Sequence, residues 1–292
     1  MMDNNTSSQD ENYYILGDSN AEMVHLIITD RHFNRSMGGL LPEQPDSVIS
    51  SIHDVLDVAC GPGGWALEVA QAYPHMQVTG FDISTGMIDY AKAQAHASLL
   101  DNVHFFVANA MQPFDLPDDS FDLVNVRHLE GVLPVAVWPE MLKEIFRVTR
   151  PGGIIRLTDC EWGVTNGAAN EKLLELAIHA MQAAGLSHSP DGRNYNITHM
   201  LSRFLRDVGC VNIQERPSIL DYSAGEQEYQ GGSRILTLAY ELMEPFLLGT
   251  HVTTRPELDQ LRRQQSLELI EDSFRGIIYT LTAYGTKPSA RS

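Results

Sequence analysis

The sequence predicts a doubly wound α/β fold around a mostly parallel sheet. Three observations predict it. Short apolar runs alternate with helical patterns from residue 54 to residue 160, which places parallel strands between helices. The first run, Val55-Leu-Asp-Val-Ala59, ends in a glycine turn at Gly61, Gly63 and Gly64, and a helical pattern follows at once. The second run, Val78-Thr-Gly-Phe81, ends in Asp82, eighteen residues after Gly64. A strand that turns into a helix through glycines lets a ligand lie against bare backbone. An acid at the tip of the next strand is placed to hold a ribose.

The elements follow in order. Residues 1–11 are polar and without period, and disorder is expected there. Ser19-Asn-Ala-Glu22 reads as a capping box opening a helix with an apolar stripe at Met23, Leu26 and Ile27, fading near Gly38 and Gly39. Pro42 to Asp46 reads as a connector. Strands are then expected at Asp54–Ala59, Gln77–Asp82, Val103–Ala108, Phe121–Val126 and Ile154–Cys160. Between them, helices are expected at Trp65–Tyr73, after the cap residue Ser84, and at Pro139–Thr149. The second half predicts helices over Asn170–Ala184 and Ile197–Val208, each ended by a glycine. Val211–Asp221 reads as extended, interrupted by Pro217. Helices at Ser233–Leu248 and Pro256–Asp272 precede a last strand, Phe274–Tyr284. This divides the chain into a start with an N-terminal lid helix (1–45), a core (46–225 and 273–292) and a helical cap inserted at 226–272.

Composition narrows the function classes. A net charge of −18 argues against nucleic acid and against an anionic membrane surface, since both need a basic footprint. A small neutral or cationic substrate suits it better. No apolar run is long enough to span a bilayer, and the N-terminal residues lack the pattern of a secretory signal, so a cytoplasmic location is expected. Cys60, Cys160 and Cys210 are far apart and read as reduced thiols; no metal site is expected from them.

Gly61-x-Gly63-x-x-Ala66 also fits a loose dinucleotide fingerprint. The wider pattern favours another cofactor. Asp57-x-Ala-Cys-Gly-x-Gly resembles motif I of the class I S-adenosylmethionine-dependent methyltransferases. Val107-Ala-Asn-Ala110, Phe121-Asp-Leu-Val124 and Arg150-Pro-Gly-Gly153 follow in the order and spacing of that family. The resemblance covers residues 50–160 and is closest to the small-molecule branch of ubiquinone biosynthesis and natural products. It implies a seven-stranded Rossmann-like methyltransferase sheet whose last strand is antiparallel. It implies S-adenosylmethionine as cofactor and methyl transfer to an oxygen, nitrogen or carbon nucleophile of a small molecule.

The same resemblance assigns the cofactor site. Gly61 and Gly63 bring backbone to the methionine end, whose ammonium meets the Ala59 and Gly61 carbonyls; Asp57 orients that end directly or through water, and its other reading is a cap on the amides of the following loop. Asp82 accepts from the ribose hydroxyls, and its other reading is a turn or cap aspartate. Ile83 and Met87 pack on the adenine. Asn109-Ala110 stands where many relatives have Asp-Ala, and an amide carbonyl can still accept the adenine amino hydrogen. Cys60, Met111 and Asn125 complete the set, and Tyr14 joins it as part of a lid, with Tyr13 beside it.

The acceptor is expected at the carboxyl ends of strands four and five. His128 is the candidate base and Asp159 the second catalytic candidate. Glu161 and Asp159 can attract a cation, Trp162 can stack on the acceptor, and residues 193–199 can close over it. Partners are a small-molecule acceptor and, in one reading, a second copy in a homodimer. Alternatives are a non-methylating enzyme using the same cofactor, a cofactor-free regulatory protein on the same fold, and a nicotinamide reductase.

Overall fold

The computed structural model describes residues 15–16, 19–129, 131–194 and 197–289. The expectations for residues 1–11, Tyr13, Tyr14 and Tyr195 lie outside them. The chain enters through α1 (Asn20–Met37). Ser19 Oγ accepts the Glu22 amide hydrogen at 3.1 Å, and Gly38 closes the helix in the left-handed region at φ 87°. The buried face differs from the expected stripe: Glu22, His25, Phe33, Asn34 and Met37 are buried, while Met23, Leu26 and Ile27 are only half-buried. The helix is enclosed on two sides, and Asn34 on its buried face donates to Glu68 and accepts from Arg127. A short α2 (Asp46–Ile49) follows the expected connector.

The core alternates as the patterning requires. In order come β1 (Asp54–Val58), α3 (Gly64–Ala72), β2 (Gln77–Asp82), α4 (Thr85–Ala97), β3 (Val103–Val107), β4 (Phe121–Arg127), α5 (Trp138–Val148) and β5 (Thr149–Thr165). The second half adds α6 (Ala168–Ala183), α7 (Leu201–Asp207), β6 (Val211–Asp221), α8 (Tyr229–Leu242), α9 (Glu244–Gly249), α10 (Arg255–Leu269) and β7 (Gly276–Thr286). The seven strands form one sheet in the order β3-β2-β1-β4-β5-β7-β6, with β7 antiparallel to both neighbours. The chain steps outward from β1 to β3 and then returns to β4 on the other side. That reversal leaves a crevice at the carboxyl ends of β1 and β4, where open α/β sheets bind ligands.

Three elements depart from expectation for physical reasons. β5 runs to Thr165 because β7 continues to pair with it past Cys160, from Ile154 opposite Thr286 to Thr165 opposite Gly276 with one bulge between Glu161 and Val164. The single helix expected over Ser233–Leu248 is two, because Pro245 lacks an amide hydrogen and belongs in the first turn of α9. Pro217 is tolerated in β6 because that strand is the sheet edge.

Apolar residues pack in three clusters. Leu56, Val58, Val124, Val126, Ile155 and Leu157 face α5 and α7. Val55, Val78 and Leu123 face α3 and α4 on the opposite side. The third cluster joins α1, α6, α8, α9 and α10 with the ends of β5 and β7, through Phe33, Leu173, Ile235, Leu247, Leu258 and Ile278. No helix among the described residues is long and apolar enough to cross a membrane.

Candidate functional site

The glycine turn sets the floor of the site. Beyond β1, Ala59, Gly61 and Gly63 all have positive φ, at 53°, 54° and 78°. The turn is held by Gly63 N–H donating to Cys60 O at 3.0 Å. A Cβ on Gly63 would lie 2.8 Å from the Phe105 ring, so this glycine is required by packing as well as by conformation. A cavity of about 1220 Å³, counting its open mouth, lies over this turn. Its wall includes Asp57, Ala59, Cys60, Gly61, Asp82, Ile83 and Met87 from the first two strand–helix units. Asn109, Ala110 and Met111 follow β3, and Arg127, His128 and Leu129 lie at the end of β4. Leu26, Thr29 and Asp30 of α1 close the other side.

Asp82 combines both of its sequence readings. Its Oδ2 accepts Gly61 N–H and its Oδ1 accepts Ser84 N–H, each at 2.9 Å. Those bonds fix the carboxylate at the cavity, and a carboxylate has about four acceptor positions, so capacity remains for a diol. Asn109 Oδ1 accepts Met111 N–H at 2.9 Å, which orients the amide and leaves its NH₂ and a second lone pair.

Asp57 is almost fully buried, and its Oδ1 accepts Asn125 Nδ2–H at 2.8 Å. Burial pushes its carboxyl up to about 7, against the opposing effects of the Asn125 bond and the Arg156 charge; Asp82 nearby adds to the rise. Asn125 therefore stands behind Asp57 rather than in the wall. Gly63 is likewise outside the wall, beneath it.

His128 has a positive φ of 53° and packs edge-on against Phe33, with ring centroids 4.7 Å apart. Its Nε2 is buried with no hydrogen-bond partner among the described residues. Burial, followed by the charges of Arg127 and Arg156, pushes its pKa down to about 3. It is therefore a neutral imidazole near pH 7.

Asp159 is buried, and its Oδ1 accepts Cys160 N–H at 2.7 Å; it is not in the cavity wall. His128, Asp159 and Cys160 nonetheless bring one donor atom each to within 4.8 Å of one another. Nothing in the sequence signals that grouping, because the three cysteines, all free thiols, lie far apart along the chain. Glu161 accepts from Thr198 Oγ1 at 2.6 Å, outside the wall. Trp162 is buried in the helical cluster, with its Nε1–H on Cys160 Sγ at 3.1 Å, so it is a packing residue there.

Sequence reasoning missed Arg127, Thr29 and Asp30. Arg127 forms an ion pair with Asp30 and donates to Asn34 Oδ1 at 2.6 Å, with its guanidinium over the Trp65 ring. The available signal is an arginine closing the strand directly before His128. Its partners lie on α1, about 93 residues earlier.

Comparison with known proteins follows this geometry. Residues 55–153 match the family described as "Methyltransferase domain". The chain is 42% identical over 101 residues to a demethylmenaquinone methyltransferase of Geobacillus kaustophilus, covering 34% of this chain and 42% of that protein. It is 36% identical over 108 residues to the enzyme of the same name from Listeria welshimeri, covering 36% and 44%. The chain thus spans about two fifths of the length of the curated relatives it matches. The crystal structure of the YcgJ protein from Bacillus subtilis aligns with a TM-score of 0.54 at 17% identity, over 88% of this chain and all of that one, and supports the fold.

Proposed function

We propose that this chain, which carries a class I S-adenosylmethionine-dependent methyltransferase domain, moves a methyl group from that cofactor to a small-molecule acceptor by in-line displacement. The observation that carries the reading is the pairing of a glycine turn with Asp57 and Asp82 around one cavity at the switch point of the sheet. The residues fit the cofactor. Bare backbone at Gly61 accommodates its amino-acid end, the carboxylates match its cationic groups, and Asp82 has acceptor capacity for a ribose diol.

When bound, the cofactor supplies an activated methyl group on a sulfonium. The chain's own task is then positioning. Asp82 and the turn hold the nucleoside and amino-acid ends, Ile83 and Met87 pack on the base, and Asn109 offers hydrogen bonds to its edge. Thr29 and His128 stand on the remaining wall, where the acceptor enters. Holding the nucleophile in line supplies much of the acceleration in such a displacement. His128, neutral at physiological pH, hydrogen-bonds the acceptor rather than carrying a charge.

In this reading α1 is a lid, since Leu26, Thr29 and Asp30 form one wall of the site. The inserted helices α8–α10 form a cap that braces it. Three free thiols suit a reducing compartment, so we assign the activity to the cytoplasm. The test is calorimetric titration with S-adenosylhomocysteine. Micromolar binding that is lost in Asp82→Ala supports the reading. No binding at millimolar ligand to folded protein overturns it.

A further inference from the structure

A row of buried polar side chains leads away from the cavity. Asp57 of β1, Asn125 of β4 and Arg156 of β5 are cross-strand partners in register, so all three lie on one face of the sheet. Asn125 Nδ2 donates to Asp57 Oδ1 at 2.8 Å, and Arg156 Nη1 donates to Asn125 Oδ1 at 2.8 Å. Arg156 Nε donates to Glu43 Oε1 at 2.8 Å. Arg156 and Asn125 have no exposed surface, and the Glu43 side chain is 1% exposed.

The chemistry of the row gives it a direction. A guanidinium can only donate, so Arg156 obliges Asn125 to turn its carbonyl inward and its NH₂ toward Asp57. Asn125 cannot flip without facing a donor with a donor. One oxygen of Asp57 is thereby held from behind, while the residue lines the cavity in front. The row is also costly. Glu43 Oε2 and Arg156 Nη2 are buried without a hydrogen-bond partner among the described residues. A buried ion pair so incompletely satisfied is a poor stabiliser, and apolar residues of similar size pack at lower cost.

We propose that Glu43 and Arg156 act through Asn125 as positioning residues that orient the Asp57 carboxyl and favour its ionised form for a cationic ligand in the cavity. This rests on the reading of Asp57 as a cofactor contact. The other groups around Asp57 do not supply that function. Asp82 on β2 opposes ionisation, Cys60 in the turn is a buried thiol, and Arg127 is paired with Asp30. Burial sets the Asp57 carboxyl near 7 even with the row in place, so losing it moves the group further from ionisation.

The experiment is a ¹³C-carboxyl NMR titration of Asp57 in the ligand-free full chain, with calorimetry of S-adenosylhomocysteine at pH 7 alongside. The variants are Asn125→Leu, Asn125→Ser, Arg156→Lys and the double change Glu43→Gln with Arg156→Met. In folded Asn125 variants and the double variant, the Asp57 midpoint rises by about one unit and affinity at pH 7 falls about fivefold, while Arg156→Lys retains most of both. Should Asn125→Leu fail to fold, the smaller Asn125→Ser and the charge-neutral double change carry the test. Cooperatively folded variants with an unmoved midpoint overturn the proposal, whatever their melting temperature. A moved midpoint with no ligand binding in any protein, wild type included, supports the row and overturns the cofactor reading. Wild-type binding with one midpoint throughout does the reverse.

Discussion

Lowering the pH from 8 to 5.5 should weaken cofactor-product binding by about thirtyfold. The Asp57 carboxyl sits at about 7. Its ionised fraction is then about ten elevenths at pH 8 and about one thirtieth at pH 5.5. If the ligand ammonium needs the carboxylate, the ratio of these fractions is the loss in affinity, about 2 kcal/mol. Below pH 7 the affinity falls about tenfold per unit; above it the curve flattens. The same coupling requires proton release on binding, about half a proton at pH 7 and nearly one at pH 5.5. Calorimetry with S-adenosylhomocysteine in buffers of different ionisation enthalpy reads both quantities. Asp57→Asn should bind more weakly at pH 8 and lose the pH dependence. Wild-type affinity that is flat from pH 8 to 5.5, with no proton released, would refute the placement of Asp57 against a cationic ligand.

Stability of the ligand-free protein should carry the opposite imprint. The native carboxyl holds its proton up to about 7 and the unfolded one only to about 3.8, so this group favours the fold most below pH 4. That contribution is lost as pH rises to 7, roughly 4 kcal/mol in all; about 2.5 kcal/mol of it falls between pH 5 and pH 8, and urea unfolding of wild type against Asp57→Asn at those two pH values measures that part. Asp82→Ala should cost at least about 100-fold in S-adenosylhomocysteine affinity, because it removes an acceptor and orphans the Gly61 and Ser84 amides; near-wild-type affinity in calorimetry would count against the ribose assignment. Gly63→Ala should lower stability by about 2 kcal/mol, read as a reduced denaturation midpoint, since its Cβ meets Phe105 at 2.8 Å in a left-handed turn. The His128 ring should show no NMR titration between pH 5 and 8, because burial and two nearby guanidiniums keep it neutral; a midpoint near 6.5 would contradict the enclosed geometry.

Local patterning made the core legible. A strand buried on both faces reads as a continuous apolar run, and a glycine turn between strand and helix is a local signature, so β1, α3 and β2 were readable within a few residues. The wall residues attached to those elements follow from them, including Asp57, Asp82 and Ile83. What escaped depends on distant pairing. Asp30 sits on α1 as an ordinary polar helix residue until Arg127 arrives from β4. Arg156 sits inside Ile154-Ile-Arg-Leu157 as an anomaly whose explanation is Asn125 on the neighbouring strand and Glu43 far upstream. Asp159 looked available at a strand end, but β5 continues past it under the helical layer, which buries it. The face of α1 was misread because amphipathic counting assumes that a helix buries apolar residues, and this one buries Glu22, His25 and Asn34.

Two parts of the molecule decide two different properties. The matched stretch, residues 55–153, contains the glycine turn, Asp82, Asn109 and His128, and so the cavity wall that the proposed function gives to the cofactor. The opposite wall comes from α1, which lies before that stretch. Its position depends in turn on α8, beyond it: Glu228, at the start of α8, receives both His32 and Arg35 of α1. A Cβ on Gly231 would collide with the His32 ring, so the two helices approach as closely as their residues allow. On the proposed reading, a change in α8–α10, between β6 and β7, is expected to shift Thr29 and Asp30 while the glycine turn stays in place. Acceptor choice on this fold can then diverge while the glycine turn stays fixed. The acceptor here is accordingly to be sought from the α1 wall and its α8 brace, rather than from the relatives' names.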